Sequence, residues 1–241
     1  MMRLMTMLLL ILVLTFPSSG YALPVQDTAA RKTVSELSRS PELKAKIDPK
    51  LLRMALSGYY TLKDQGKVSR DGVLTVIDFN RSSVDERLFV IDVNAGRLLY
   101  SGLVAHGNRS GENYAQSFSN RPGSCRSSLG FYTTGSTYEG HNGYSLKLFG
   151  LERGINDKAE KRSIVMHGAD YVSYDYISRH GRLGRSQGCP AISFEGFQQV
   201  IDLIKDGSCL FIYQNAKGYA MRSKVLNSRV AKRYAALSPI S

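Results

Sequence analysis

Two hydrophobic periods divide the chain. Leu51, Leu52, Ala55, Leu56, Tyr59, Tyr60 and Leu62 recur three and four positions apart, which gathers them on one face of a helix. Pro41 and Pro49 suit the first turn of a helix, with Ser40 and Asp48 as N-caps. The stretch 23–70 therefore reads as a helical segment that packs its apolar face on the main domain. From Val73 the apolar residues come in short, β-branched runs of strand length: 73–79, 87–93, 97–105, 129–133, 144–149, 163–166 and 208–213. Asn94-Ala95-Gly96 is a hairpin turn signal between the second and third of these. One later helix is predicted over about 194–205, capped by Ser193 and closed by Asp206-Gly207. Glycine-rich loops at 106–128 and 168–192 are long for a compact domain, and loops of that length usually carry function. The pattern predicts a mainly β fold with flanking α-helices and one domain over 71–215.

The first 22 residues change the picture of where this domain works. Arg3 is followed by a nearly unbroken apolar run, 4–16, and then by Pro17, Ser18, Ser19 and Gly20. Gly20-Tyr21-Ala22 places small residues at −3 and −1 of a cleavage site, so 1–22 reads as a signal peptide. The run is shorter than the roughly 20 residues of a membrane span, and the protein is expected to be exported, periplasmic or associated with the cell envelope. The net charge of +12 points to anionic partners. Positive residues crowd the basic tail 216–241, which no Asp or Glu interrupts. For an exported chain the expected partner of that tail is an anionic wall polymer or a membrane surface rather than nucleic acid.

Three cysteines in an exported chain leave at least one thiol unpaired. Cys209 lies in an apolar strand-like run and reads as a small buried hydrophobe. Cys125 lies in a Ser-rich loop, and a Cys125–Cys209 disulfide stays open. Cys189 sits in a Gly-Cys-Pro turn 22 residues after His167, at the end of the apolar run 163–166. A thiol attacks as the thiolate and needs a nearby base. Gly188 permits a strained turn, and Pro190 biases Cys189 to an extended backbone. Pro190 has no N–H, so the N–H groups of Gly188 and Cys189 are the expected oxyanion donors, with Gln187 as a further one. Ser186 and Arg185 are expected to order the turn, and Arg185 to meet a substrate carboxylate. His106, His141 and His180 lack the short spacing of a zinc site and read as surface or loop histidines; no metal or cofactor is implied.

The succession His167-Gly168, then Arg185-Ser186-Gln187-Gly188-Cys189-Pro190, resembles the signature of L,D-transpeptidase catalytic (YkuD-like) domains, in its variant murein branch. Gly102 to Gly107, Phe118-Ser119-Asn120, Ser127-Ser128-Leu129-Gly130, Gly150-Leu151-Glu152 and Asn156-Asp157 are similar to further elements of that branch. The resemblance spans roughly residues 50–215. It implies an L,D-transpeptidase-like β-sandwich or barrel, and a Cys189 thioester with the tetrapeptide stem of peptidoglycan. His167 would be the general base, oriented by the Gly168 carbonyl. An amine acceptor would give a 3→3 cross-link, and water would give L,D-carboxypeptidase action. Gln187 stands where the family usually has a second histidine, which leaves His167 as the base unless His180 swings in. Arg185, Ser186, Gln187, Tyr138 and His141 are expected to contact substrate. A papain-like protease fits poorly, because here the cysteine follows the histidine and sits late in the chain. A wall-binding module without turnover is the non-enzymatic alternative.

Overall fold

The computed structural model describes residues 36–37, 40–216 and 218–235. The expected signal peptide 1–22 and the stretch up to residue 35 lie outside the described residues. Two helices open the described part, α1 (Pro41–Lys46) and α2 (Pro49–Asp64). The Asp48 carboxylate accepts from the N–H groups of Lys50 and Leu51 at 2.8 and 2.9 Å, capping α2 as predicted. Ser40 precedes α1 but makes no such bond. The apolar stripe of α2 is buried, Leu52, Ala55 and Leu56 completely. Gly58 lets the helix approach the sheet: a Cβ there would lie 2.0 Å from the Phe131 ring.

Nine strands come after them among the described residues: β1 (Val73–Asp78), β2 (Leu88–Asp92), β3 (Arg97–Gly102), β4 (Val104–Ala105), β5 (Gly130–Gly140), β6 (Gly143–Gly150), β7 (Val165–Ala169), β8 (Ala191–Ser193) and β9 (Cys209–Tyr213). They form one mixed sheet in the order β3-β2-β1-β9-β5-β6-β7-β8-β4. The mainly β fold with flanking helices is thus the observed one. The hairpin at Asn94 is also present, its N–H groups at Asn94 and Ala95 held by the Asp92 carboxylate. The predicted run 97–105 is two strands on opposite ends of the sheet, because β3 pairs with β2 while β4 crosses to pair with β8. The predicted loop 168–192 contains the short helix α3 (Tyr174–His180) and ends at β8. The later helix, α4 (Phe197–Ile204), starts after Gly196 rather than at Ser193. Two short helices, α5 (Tyr219–Arg222) and α6 (Arg229–Ala235), lie in the expected tail, and α6 packs against α2.

Of the segments that carry the resemblance outside the His–Cys pair, those holding Gly130, Glu152 and Asn156 meet in a buried polar knot at the start of β5. The Glu152 carboxylate accepts from Phe131 N–H at 2.8 Å and from the Tyr219 hydroxyl at 2.9 Å. The Asn156 amide donates to the Phe131 carbonyl at 2.9 Å and receives Glu152 N–H at 2.8 Å. Gly130, at φ 109°, leaves room for this carboxylate, since a Cβ would stand 2.4 Å from it. A smaller apolar cluster (Leu103, Ala105, Ala169, Val172, Leu183 and Ala191) sits under the other end of the sheet and supports β7, β8 and β4.

Candidate active site

The parallel pairing of β7 and β8 sets His167 opposite Ala191. Carried back two residues, the same register brings Cys189 beside Val165, so 22 residues of sequence collapse to one rim of the sheet. The Cys189 thiol donates to the Ser163 carbonyl at 3.6 Å. Burial pushes this thiol up from its ordinary value, while the Val165 N–H and the Arg162 charge pull it down.

His167 is 6% exposed. Its Nδ1 lies 2.9 Å from the Gly168 carbonyl. A carbonyl only accepts, so Nδ1 carries the proton and Nε2 keeps its lone pair. Burial lowers the imidazole below the ordinary histidine value, with the Gly168 contact opposing it. The ring is therefore a neutral acceptor at neutral pH. Gly168 must be glycine for a packing reason, because a Cβ would lie 2.8 Å from Phe194 and 2.9 Å from Phe197.

Two cavities meet at His167. One, of about 500 Å³, is lined by Cys189, Gln187, Arg185, Arg162, Cys125 and Ser163 among others. The second, of about 470 Å³, is lined by Gly168, Asp170, Phe194 and Phe197. His141, Asn142, His167 and Tyr171 border both. Among the described residues no group of three or more His, Cys, Asp or Glu is placed to hold a metal ion.

The Gly188-Cys189-Pro190 turn is clamped by one hydroxyl. Ser186 Oγ receives the Gly188 N–H at 3.0 Å and donates to the Cys189 carbonyl at 2.6 Å. Behind it, Ser186 bridges to Gly107, and its N–H and carbonyl bond to His106 and Asn108 at 3.0 and 2.7 Å. Gly188, at φ 124°, packs so closely that a Cβ would stand 2.9 Å from the Arg126 carbonyl. The Gly188 N–H, expected as an oxyanion donor, is thus engaged by Ser186 Oγ inside the turn.

Residues 43–213 match the family model of the L,D-transpeptidase catalytic domain. The chain belongs to that family. Solved structures that resemble it include an L,D-transpeptidase from Mycobacterium smegmatis (14% identity, 59% of this chain and 59% of that one, TM-score 0.37). Others are the K307A mutant of the helical cell shape determining protein Pgp2 from Campylobacter jejuni (12%, 76% and 61%, TM-score 0.40) and an L,D-transpeptidase from Stackebrandtia nassauensis (12%, 79% and 78%, TM-score 0.39). The match thus spans about three fifths of the Mycobacterium smegmatis chain. No curated protein matches the chain.

Within this L,D-transpeptidase domain the other expected residues divide. Ser186, Gln187, Arg185 and His141 line the cavity with Cys189. Arg185 is already matched in charge, its Nη1 lying 2.6 Å from Glu112 Oε1 and also reaching the Gly111 carbonyl. Tyr138 lines neither cavity; its ring lies under the Lys147 ammonium at 5.7 Å. His180 packs against Tyr176 with the rings tilted and their centroids 4.2 Å apart, and it lines neither cavity. His106, expected as a surface or loop histidine, lies just after β4 and is fully buried. All three cysteines are free thiols, and Cys209 is sealed in the central strand β9. Sequence reasoning misses Arg162, on the 3-10 turn Glu160–Arg162. It ends a charged stretch that looks like any solvated face, and only the strand after it hints at its place. No helix among the described residues is long and apolar enough to cross a membrane.

Proposed function

We propose that the protein is a cysteine-dependent peptidoglycan L,D-transpeptidase in the cell envelope. The observation that carries this reading is the shared rim: Cys189 and a neutral His167 with a free Nε2 border one cavity. Cys189 attacks the carbonyl of the third residue of a tetrapeptide stem. His167 Nε2 takes the thiol proton and passes it to the departing D-Ala, while Gly168 fixes the imidazole tautomer. The Cys189 N–H, with Gln187 N–H, is the remaining donor set for the tetrahedral oxyanion. An amine from a second stem then opens the thioester and forms the 3→3 cross-link. The second cavity, on the Phe194 side of His167, supports this step by giving an acceptor room next to the same base.

Mass spectrometry of disaccharide-tetrapeptide incubated with the purified protein tests the reading. Cross-linked dimer with release of D-Ala is the expected product. Tripeptide without dimer would make the enzyme an L,D-carboxypeptidase, and unchanged substrate would leave a wall-binding domain.

A further inference from the structure

A half-buried thiol next to a neutral histidine gains from a positive charge nearby as it becomes a thiolate. The groups that border its cavity come from every neighbouring element: His167 on β7, Tyr171 in the loop after it, Arg185 in the nucleophile loop, His141 in the β5–β6 turn, Cys125 in the 119–128 loop and Arg162 on the 3-10 turn. Arg185 is paired with Glu112. Tyr171 and Cys125 bring no positive charge, and burial holds His167 neutral. His141 is an exposed ring at the cavity edge. Arg162 differs from all of these. Its guanidinium is held entirely by neutral oxygens: the Ser119 carbonyl at 2.7 Å, the Arg126 carbonyl at 2.6 Å, Ser124 Oγ at 3.3 Å and Ser128 Oγ. Its Nη2 lies 3.2 Å from where a Gly188 Cβ would stand, directly against the residue before the nucleophile. The next residue, Ser163, has φ 52° and supplies the carbonyl that receives the thiol.

We propose that Arg162 is a positioning residue that stabilises the Cys189 thiolate as His167 removes its proton, acting from a turn locked beneath the nucleophile, and at the same time straps the 119–128 loop over it. Four neutral hydrogen-bond partners fix the cation without cancelling its charge, so its field falls on the sulfur. The inference rests on the reading of Cys189 as nucleophile and adds the group that activates it.

The test is iodoacetamide alkylation of the full-length protein from pH 5 to 10, read on the Cys189 peptide by mass spectrometry. Arg162→Met is expected to slow alkylation about tenfold at pH 7, with the wild-type rate recovered at high pH, as loss of one adjacent opposite charge implies. Arg162→Gln, which keeps hydrogen-bonding groups and drops the charge, is expected to do the same, and Arg162→Lys to restore most of the rate. Ser124→Ala removes one strap bond but no charge and is expected to leave the pH profile in place. A wild-type profile in Arg162→Met and Arg162→Gln, or an equal shift in Ser124→Ala, overturns the proposal. The nucleophile reading fails by a separate sign, survival of D-Ala release in Cys189→Ala.

Discussion

Two histidines of this protein are buried at the same end of the sheet and both are held below the ordinary histidine pKa, yet their ring nitrogens are differently engaged. His106 is closed on both nitrogens: Nδ1 lies 2.8 Å from Arg87 Nη2 and Nε2 lies 3.2 Å from the Gly111 carbonyl. Burial and the Arg87 charge push it down to about 4. Arg87 is itself fully buried, and its guanidinium also holds the carbonyls of Val104 and Arg81. His167 has one nitrogen closed by Gly168 and one open to two cavities. Burial and a depressed pKa therefore do not mark a reactive histidine. What sets His167 apart is a ring nitrogen left unfilled at a cavity wall.

The strongest test separates the two. His167→Asn should lower D-Ala release by about 10²–10⁴-fold and leave the urea midpoint nearly unchanged; equal activity would remove His167 as base. Arg87→Met should act on the other histidine only. It leaves several buried acceptors without donors, a cost of about 3 kcal/mol or more, read as a lower urea midpoint with near-normal turnover of the folded fraction. Next comes acid. His106 binds its proton more weakly folded than unfolded, so the unfolded chain takes up protons between pH 6.5 and about 4. Its contribution is full above pH 6.5 and is lost as pH falls through that window, up to on the order of 3 kcal/mol. Glu152, raised by burial, changes stability in the opposite sense above the ordinary carboxylate value. The informative comparison is therefore wild type against His106→Gln, whose stability should fall less on acidification. Ser186→Ala should rank next at about 1–2 kcal/mol, seen as faster hydrogen exchange at Gly188. Tyr138→Ala should change turnover least, and a large loss there would mean that substrate reaches beyond the two cavities.

Much of this arrangement is visible in the sequence, and the exceptions share a cause. The α2 stripe, its Asp48 cap, the Asn94 hairpin and most strands come from local pattern, because period and turn chemistry act within a few residues. The pair His167 and Cys189 also shows in the sequence, since a strand-end His-Gly and a Gly-Cys-Pro turn are local signals. The features that local pattern misplaces depend on distant partners. The run 97–105 gives no sign that its last two residues leave for another strand. Gly188 N–H looks free for an oxyanion until Ser186 Oγ closes on it. His106 looks like a loop histidine because its burial is made by Arg87, 19 residues away in sequence.

Local sequence is enough for the elements, the family and the chemical type of the site: a thiol, an imidazole and the turn that presents the thiol. Which groups surround that thiol is settled only in the folded chain. Parallel pairing of β7 with β8 put Cys189 beside Val165, and the 3-10 turn put Arg162 against Gly188. The difference is one of range. Backbone preferences are read residue by residue, whereas the charge on a sulfur depends on every group within several ångströms, and only the fold sets those distances.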